Sequence, residues 1–163
     1  MVEWQNVNGK PLRIPQSAVL PYRRGRRGLE VLLITSRETR RWVLPKGGIM
    51  AGMTPYESAA EEAFEEAGIV GRVDRRCVGV YGYLKVRDKG RPYCTVRVYP
   101  MEVTALCADW PERRERQRRW MTFDAARARV RERGLKKILT SFHTSQRSRR
   151  GSRLNATPER SKR

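Results

Sequence analysis

The sequence predicts an α/β (α+β) fold in which a mixed β-sheet is sandwiched between helices. Three observations predict it. Short β-rich runs bounded by Gly, Pro and Arg-rich turns recur through the chain, one segment carries a full set of helix start and stop signals, and two helical segments follow the last β-rich run. In order, Ser17–Tyr22 and Glu30–Thr35 read as strands split by the turn Arg23-Arg24-Gly25-Arg26-Arg27-Gly28. Trp42-Val43-Leu44 is a strand running into Pro45-Lys46-Gly47-Gly48, where two glycines allow backbone or ligand to come close. Thr54-Pro55-Tyr56-Glu57 is a capping-box pattern with Pro at the first helical position. Ala59, Ala60, Ala63, Phe64 and Ala67 then supply an apolar stripe and Gly68 a C-terminal stop, so a helix spans about Pro55 to Ala67. Val78–Val86 and Tyr93–Val103 are β-rich, with Asp88-Lys89-Gly90-Arg91-Pro92 as the hairpin loop between them. Thr122/Phe123 to Arg133 and Leu135 to Phe142 read as helical, interrupted at Gly134.

Length and charge narrow the class. With 163 residues, the chain is long enough for one domain with a sizeable core. Lys and Arg number 36 against 17 Asp and Glu, a net charge of +19, so the partner is an anion. The 21 residues from His143 onward hold seven Lys/Arg, one Glu and two aliphatic side chains, a composition that predicts a disordered basic tail at 143–163 behind a body at 1–142. Subtracting the tail's +6 leaves +13 on the body. A second dense run, Glu112 to Arg119, carries five arginines and two glutamates. Three cysteines without a CxxC pair fit reduced thiols, and the single histidine, His143, falls where the composition turns polar, which argues against histidine-based zinc sites and Ser-His-Asp chemistry. No apolar run reaches the roughly 20 residues of a membrane span. The absence of a signal-peptide pattern then predicts a cytoplasmic protein.

One stretch reverses the charge. Ile49 to Gly71 has no Lys or Arg but five glutamates, Glu57, Glu61, Glu62, Glu65 and Glu66. On a helix Glu62, Glu65 and Glu66 stand at i, i+3 and i+4 and share a face. Like-charge pairs of this spacing each cost about 0.2–0.5 kcal/mol. A hard divalent cation relieves that repulsion, and Mg²⁺ or Mn²⁺ suits carboxylate oxygens. Spacing alone weighs this reading equally with a solvated acidic face paired to arginines elsewhere.

The segment Gly47 to Ile69 resembles the Nudix box, G-x5-E-x7-R-E-U-x-E-E-x-G-U with U a bulky aliphatic. The closing run Glu62-x-x-Glu65-Glu66-x-Gly68-Ile69 matches at each acidic and glycine position, whereas Met53 stands in a Glu slot and Glu61 in the Arg slot. Ser36-Arg37, Arg41-Trp42 and Pro45-x-Gly47-Gly48 are similar to the run before the box in diphosphoinositol polyphosphate phosphohydrolases. Trp120 with Phe123-Asp124-Ala125-Ala126 resembles the start of the family's C-terminal helix. The resemblance implies the Nudix sandwich with a catalytic loop-helix-loop at about 45–70. It also implies Mg²⁺- or Mn²⁺-dependent hydrolysis of a phosphoanhydride.

On that resemblance Glu62, Glu65 and Glu66 are the catalytic and metal-binding residues, with the Gly47 backbone as a further metal contact. Ser36, Arg37, Arg41, Lys46, Gly47 and Gly48 are the candidate substrate contacts. The missing box Arg bears on how the carboxylates are held, and Glu112 is a candidate outlying acid against the simpler reading of a surface turn. A basic body suits a highly phosphorylated small molecule such as a diphosphoinositol polyphosphate or a diadenosine polyphosphate. Two other readings stand beside it: an RNA 5′-end pyrophosphohydrolase whose basic tail grips the backbone, and a catalytically weak Nudix-like module that binds RNA or another anion. The tail itself suits non-specific nucleic-acid contact.

Overall fold

The computed structural model describes residues 13–85 and 92–154. Strands β1 (Arg13–Gly25) and β2 (Gly28–Thr35) form an antiparallel hairpin closed by Arg26 and Arg27. Two short strands, β3 (Trp42–Val43) and β4 (Lys46–Gly48), lead into helix α1 (Pro55–Ala67). Then come β5 (Ile69–Val73), β6 (Gly79–Leu84), β7 (Tyr93–Leu106), β8 (Arg118–Thr122), α2 (Phe123–Arg129) and α3 (Arg133–Leu154). These strands form one mixed sheet with the order β3-β2-β1-β7-β5, in which β4 joins β1, β6 joins β7 and β8 joins β2. β1 and β7 run parallel and every other pairing is antiparallel. This is the mixed, helix-flanked sandwich that the sequence predicts.

Strand alternation builds the two layers. Ala18, Leu20, Val31, Leu33, Val96 and Val98 point to one face, where they meet Phe123, Ala126, Leu135, Leu139 and Phe142 of α2 and α3. Val19, Leu32, Ile34, Tyr99 and Met101 point to the other face and pack on Ala59, Ala63 and Ala67 of α1. Small alanines let α1 lie close to the sheet. Phe64, expected in that stripe, is instead 38% exposed, because helical rotation turns it away from the alanine line.

Helix α1 begins and ends where its local signals place it. Thr54 Oγ1 accepts from the Glu57 amide and the Glu57 carboxylate accepts from the Thr54 amide. At the other end Gly68 adopts φ 60°, ψ 39° and its N–H bonds back into the last turn. A long-range group completes this end: Arg118 donates to the carbonyls of Ala67 at 2.8 Å, Gly68 at 3.1 Å and Cys107 at 2.9 Å.

Several expectations are corrected. The helical break falls at Val130-Arg131-Glu132, not at Gly134, which lies in the first turn of α3. Glycine serves close approach there, since a Cβ at 134 would come within 2.7 Å of Tyr81 Cβ. The disordered tail expected from His143 is not found over 143–154, where α3 continues to Leu154. Its local anchor is tertiary: the His143 ring stacks on Phe123 at 4.9 Å, beside the Phe123–Phe142 stack at 5.9 Å. Residues 155–163 lie outside the described residues, as do residues 88–91 of the hairpin loop expected at 88–92. Among the described residues no helix is long and apolar enough to cross a membrane.

Candidate functional site

The site forms where α1 faces the β4 turn. β4 is held against β1 by the pairs Ser17↔Gly47 and Ala18↔Lys46, so the Gly47-Gly48 backbone is fixed by the sheet. Glu62 and Glu66, one helical turn apart, point at it. The Lys46 amide donates to Glu66 Oε2 at 3.0 Å. The Glu62 carboxylate lies against Gly47 so closely that a Cβ at 47 would overlap it, which is why glycine stands there. Glu65 is exposed, and its backbone carbonyl accepts from the Glu112 amide at 3.0 Å, tying the 111–115 turn to the helix.

That turn brings a residue the sequence does not single out. Arg116 Nη2 donates to Glu66 Oε1 at 2.6 Å, its Nε to Glu112 Oε2 at 2.5 Å, and its Nη1 to the Thr35 carbonyl at 3.2 Å. The guanidinium is only 8% exposed and the Glu66 side chain 11%. Nothing in the arginine-rich run 113–119 distinguishes Arg116 from its neighbours, so only the fold identifies it. Glu61, in the slot where the box has Arg, is exposed, and so is Met53. The cation beside Glu66 thus comes from a loop 50 residues away rather than from α1.

Electrostatics follow from this crowding. Burial pushes the Glu62 carboxyl up to about 7, reinforced by Glu66, Glu65 and Glu112, while Arg116 pulls the other way. Burial also raises Glu66, opposed by Arg116 and by the Lys46 amide. The Lys46 ammonium is lowered by burial, against the attraction of Glu66 and Glu132, and it sits 5.1 Å from the Tyr83 ring centroid. Acids and cations at this site therefore hold each other in place.

The remaining expected contacts divide. Arg37 lies 3.5 Å from both Glu112 and Glu115, with its side chain 58% exposed, so it reaches the rim of the cluster. Arg41 is paired at 3.1 Å with Glu132, which is 10% exposed and lies on the α2–α3 connection. Both arginines have carboxylate partners, but from these loops rather than from α1. Ser36 Oγ is spent on the local turn, bonded to Thr39 Oγ1 at 2.7 Å and accepting from the Arg41 amide at 3.1 Å. Gly48 has open space where a side chain would stand.

The chain resembles known proteins in sequence and in fold. The NUDIX domain family model matches residues 13–142. Nudix hydrolase 12, mitochondrial, of Arabidopsis thaliana is 35% identical over 118 residues, covering 70% of this chain and 58% of that protein. Diphosphoinositol polyphosphate phosphohydrolase 3-beta of Homo sapiens is 34% identical over 113 residues, covering 68% of this chain and 65% of that protein. The chain therefore spans less than two thirds of the length of these relatives. Among solved structures, a C. elegans Ap4A hydrolase binary complex superposes with a TM-score of 0.60 at 17% identity, covering 83% of this chain and 98% of that one. This last likeness concerns the fold. With the match running from β1 into α3 and the box helix in its expected place, the chain belongs to the Nudix family.

Proposed function

We propose that this chain is a Mg²⁺- or Mn²⁺-dependent phosphohydrolase that cleaves a phosphoanhydride in a highly phosphorylated small molecule, such as a diphosphoinositol polyphosphate or a diadenosine polyphosphate. The observation that carries this reading is the placement of Glu62 and Glu66 against the Gly47 backbone, with Arg116, Lys46 and Arg37 around them. The name of the human relative supports the substrate class.

The residues fit a divalent ion. Among the described residues no three His, Cys, Asp or Glu side chains form a metal cage by themselves. Mg²⁺ does not require one, since it commonly uses one or two carboxylates with water and substrate phosphates. Glu62, Glu65 and Glu66 with the Gly47 backbone would hold it, and when bound it supplies charge neutralisation for the phosphates and an activated water. Arg37 and Lys46 bind the flanking phosphates, arginine as a fork and lysine as a point charge. Glu62, in reach of the same loop, takes the proton of the attacking water. Arg116 keeps the Glu66 carboxylate aimed at the loop.

Gly47→Ala is expected to lower turnover roughly 10²-fold, because a Cβ displaces the Glu62 carboxylate, while a small thermal-stability change shows that the fold persists. Unchanged turnover would remove Glu62 from the reacting site. The test of the function is phosphate release under Mg²⁺ and under Mn²⁺. The panel holds a diphosphoinositol polyphosphate, diadenosine hexaphosphate, ADP-ribose and a 5′-triphosphate RNA. Preference for either of the first two supports the proposal, and turnover confined to the RNA, or none at all, overturns it.

A further inference from the structure

A second basic feature lies at the other end of β1. The β1–β2 hairpin tip, α2 and the second half of α3 enclose an open cleft of about 330 Å³. Arg24 and Arg27 enter it from the hairpin, and Arg147 and Arg150 from α3, one turn apart on the same helix face. Among the described residues none of these four arginines has an ion-pair partner. The acid in the cleft wall, Asp124, is engaged by Arg127 at 2.7 Å, and the neighbouring Glu30 is engaged by Arg23 at 2.8 Å. His143 lines the cleft with its ring fixed on Phe123.

This arrangement mirrors the logic of the glutamate cluster with the sign reversed. Four guanidiniums line one cleft whose acid, Asp124, is already engaged by Arg127, so their charge is left unbalanced there and an anion from outside would offset it. Arginine cannot shed that charge by losing its proton. Its planar fork matches phosphate oxygens bidentately. A single carboxylate neutralises one of four charges, whereas closely spaced phosphates neutralise several within this volume. The four guanidiniums offer donors only, which matches the acceptor oxygens of successive phosphates. Ser17, opposite Gly47, and Arg24 are seven residues apart on β1, so at about 3.3 Å per residue the cleft is roughly 23 Å along the strand from the catalytic loop.

We propose that this cleft is a separate, non-catalytic binding site for a chain of linked phosphates. The source is either the phosphodiester backbone of a nucleic acid or a free oligophosphate. The test uses the full chain in metal-free buffer with EDTA, so that its outcome is independent of the catalytic reading. The probes are a fluorescent 12-nucleotide single-stranded RNA and inorganic tripolyphosphate. Arg147→Gln with Arg150→Gln is compared with Arg149→Gln with Arg153→Gln, which removes the same charge from the same helix outside the cleft wall. The cleft pair is expected to weaken binding at least about tenfold and to reduce the salt slope for the single-stranded RNA by about 1.4, while the control pair changes far less. Loss for RNA alone assigns the phosphodiester source, and loss for tripolyphosphate alone assigns the free one. Equal effects from the two pairs, or no effect from the cleft pair, would overturn the site.

Discussion

Glu66→Gln is expected to lower turnover on the preferred polyphosphate by roughly 10²–10³-fold, the range for removing one preorganised electrostatic group. The substitution keeps the shape of the side chain and its bond from the Lys46 amide while deleting the charge that an ion requires. A second readout does not depend on substrate. A cation that binds the folded state at one hundred times its Kd adds about 2.7 kcal/mol of stability. For a domain of this size that corresponds to a Tm rise of about 5–10 °C. The wild-type protein should show that rise with Mn²⁺, and Glu66→Gln should lose most of it. A mutant that keeps both turnover and the Mn²⁺-dependent rise would show that Glu66 serves only as the ion-pair partner of Arg116.

Arg116→Met is expected to act on both stability and activity. It strips the cation from a carboxylate that is itself 11% exposed, leaving Glu66 with the Lys46 amide as its remaining partner. Breaking a buried pair from one side costs about 3–5 kcal/mol, and the retained amide bond places this case at the lower end. A Tm drop of about 6–12 °C follows. Turnover should fall roughly 10–100-fold, as when a group supporting a ligand is lost. A rescue separates positioning from mere folding. Glu61→Arg alone should change little, because Arg116 already stands at Glu66. In the Arg116→Met background it should recover at least part of the turnover by returning a guanidinium to the box slot. Failure of that rescue, with turnover falling only as far as stability does, would leave Arg116 a structural residue.

The elements legible in the sequence are those whose determinants are local. Thr54, Pro55, Glu57 and Gly68 fix α1 within one turn of its ends, and the structure keeps those ends. β2 and β7 start or end near their β-branched runs because alternation is a two-residue property. β8 is not legible, because Arg118 and Arg119 disguise a strand that is recruited by pairing with β2. Nor is α3 beyond Phe142, a polar segment held through His143 on Phe123. Gly134 misleads for a related reason: glycine there signals a close neighbour, Tyr81, and not a helix end.

The candidate site divides in the same way. Helical period and turn chemistry need no distant partner, so the shared face of Glu62 and Glu66 and the glycines before them are legible from the residues alone. Which cation balances them is set by long-range packing. Arg116 is 50 residues from Glu66, in a run of similar arginines, and its choice rests on the 111–115 turn docking on Glu65. The same applies to Arg41 and Glu132, joined across 91 residues. Charge is written along the chain, but which charges are buried together is set by packing, and the low dielectric of that setting is what strengthens their attraction.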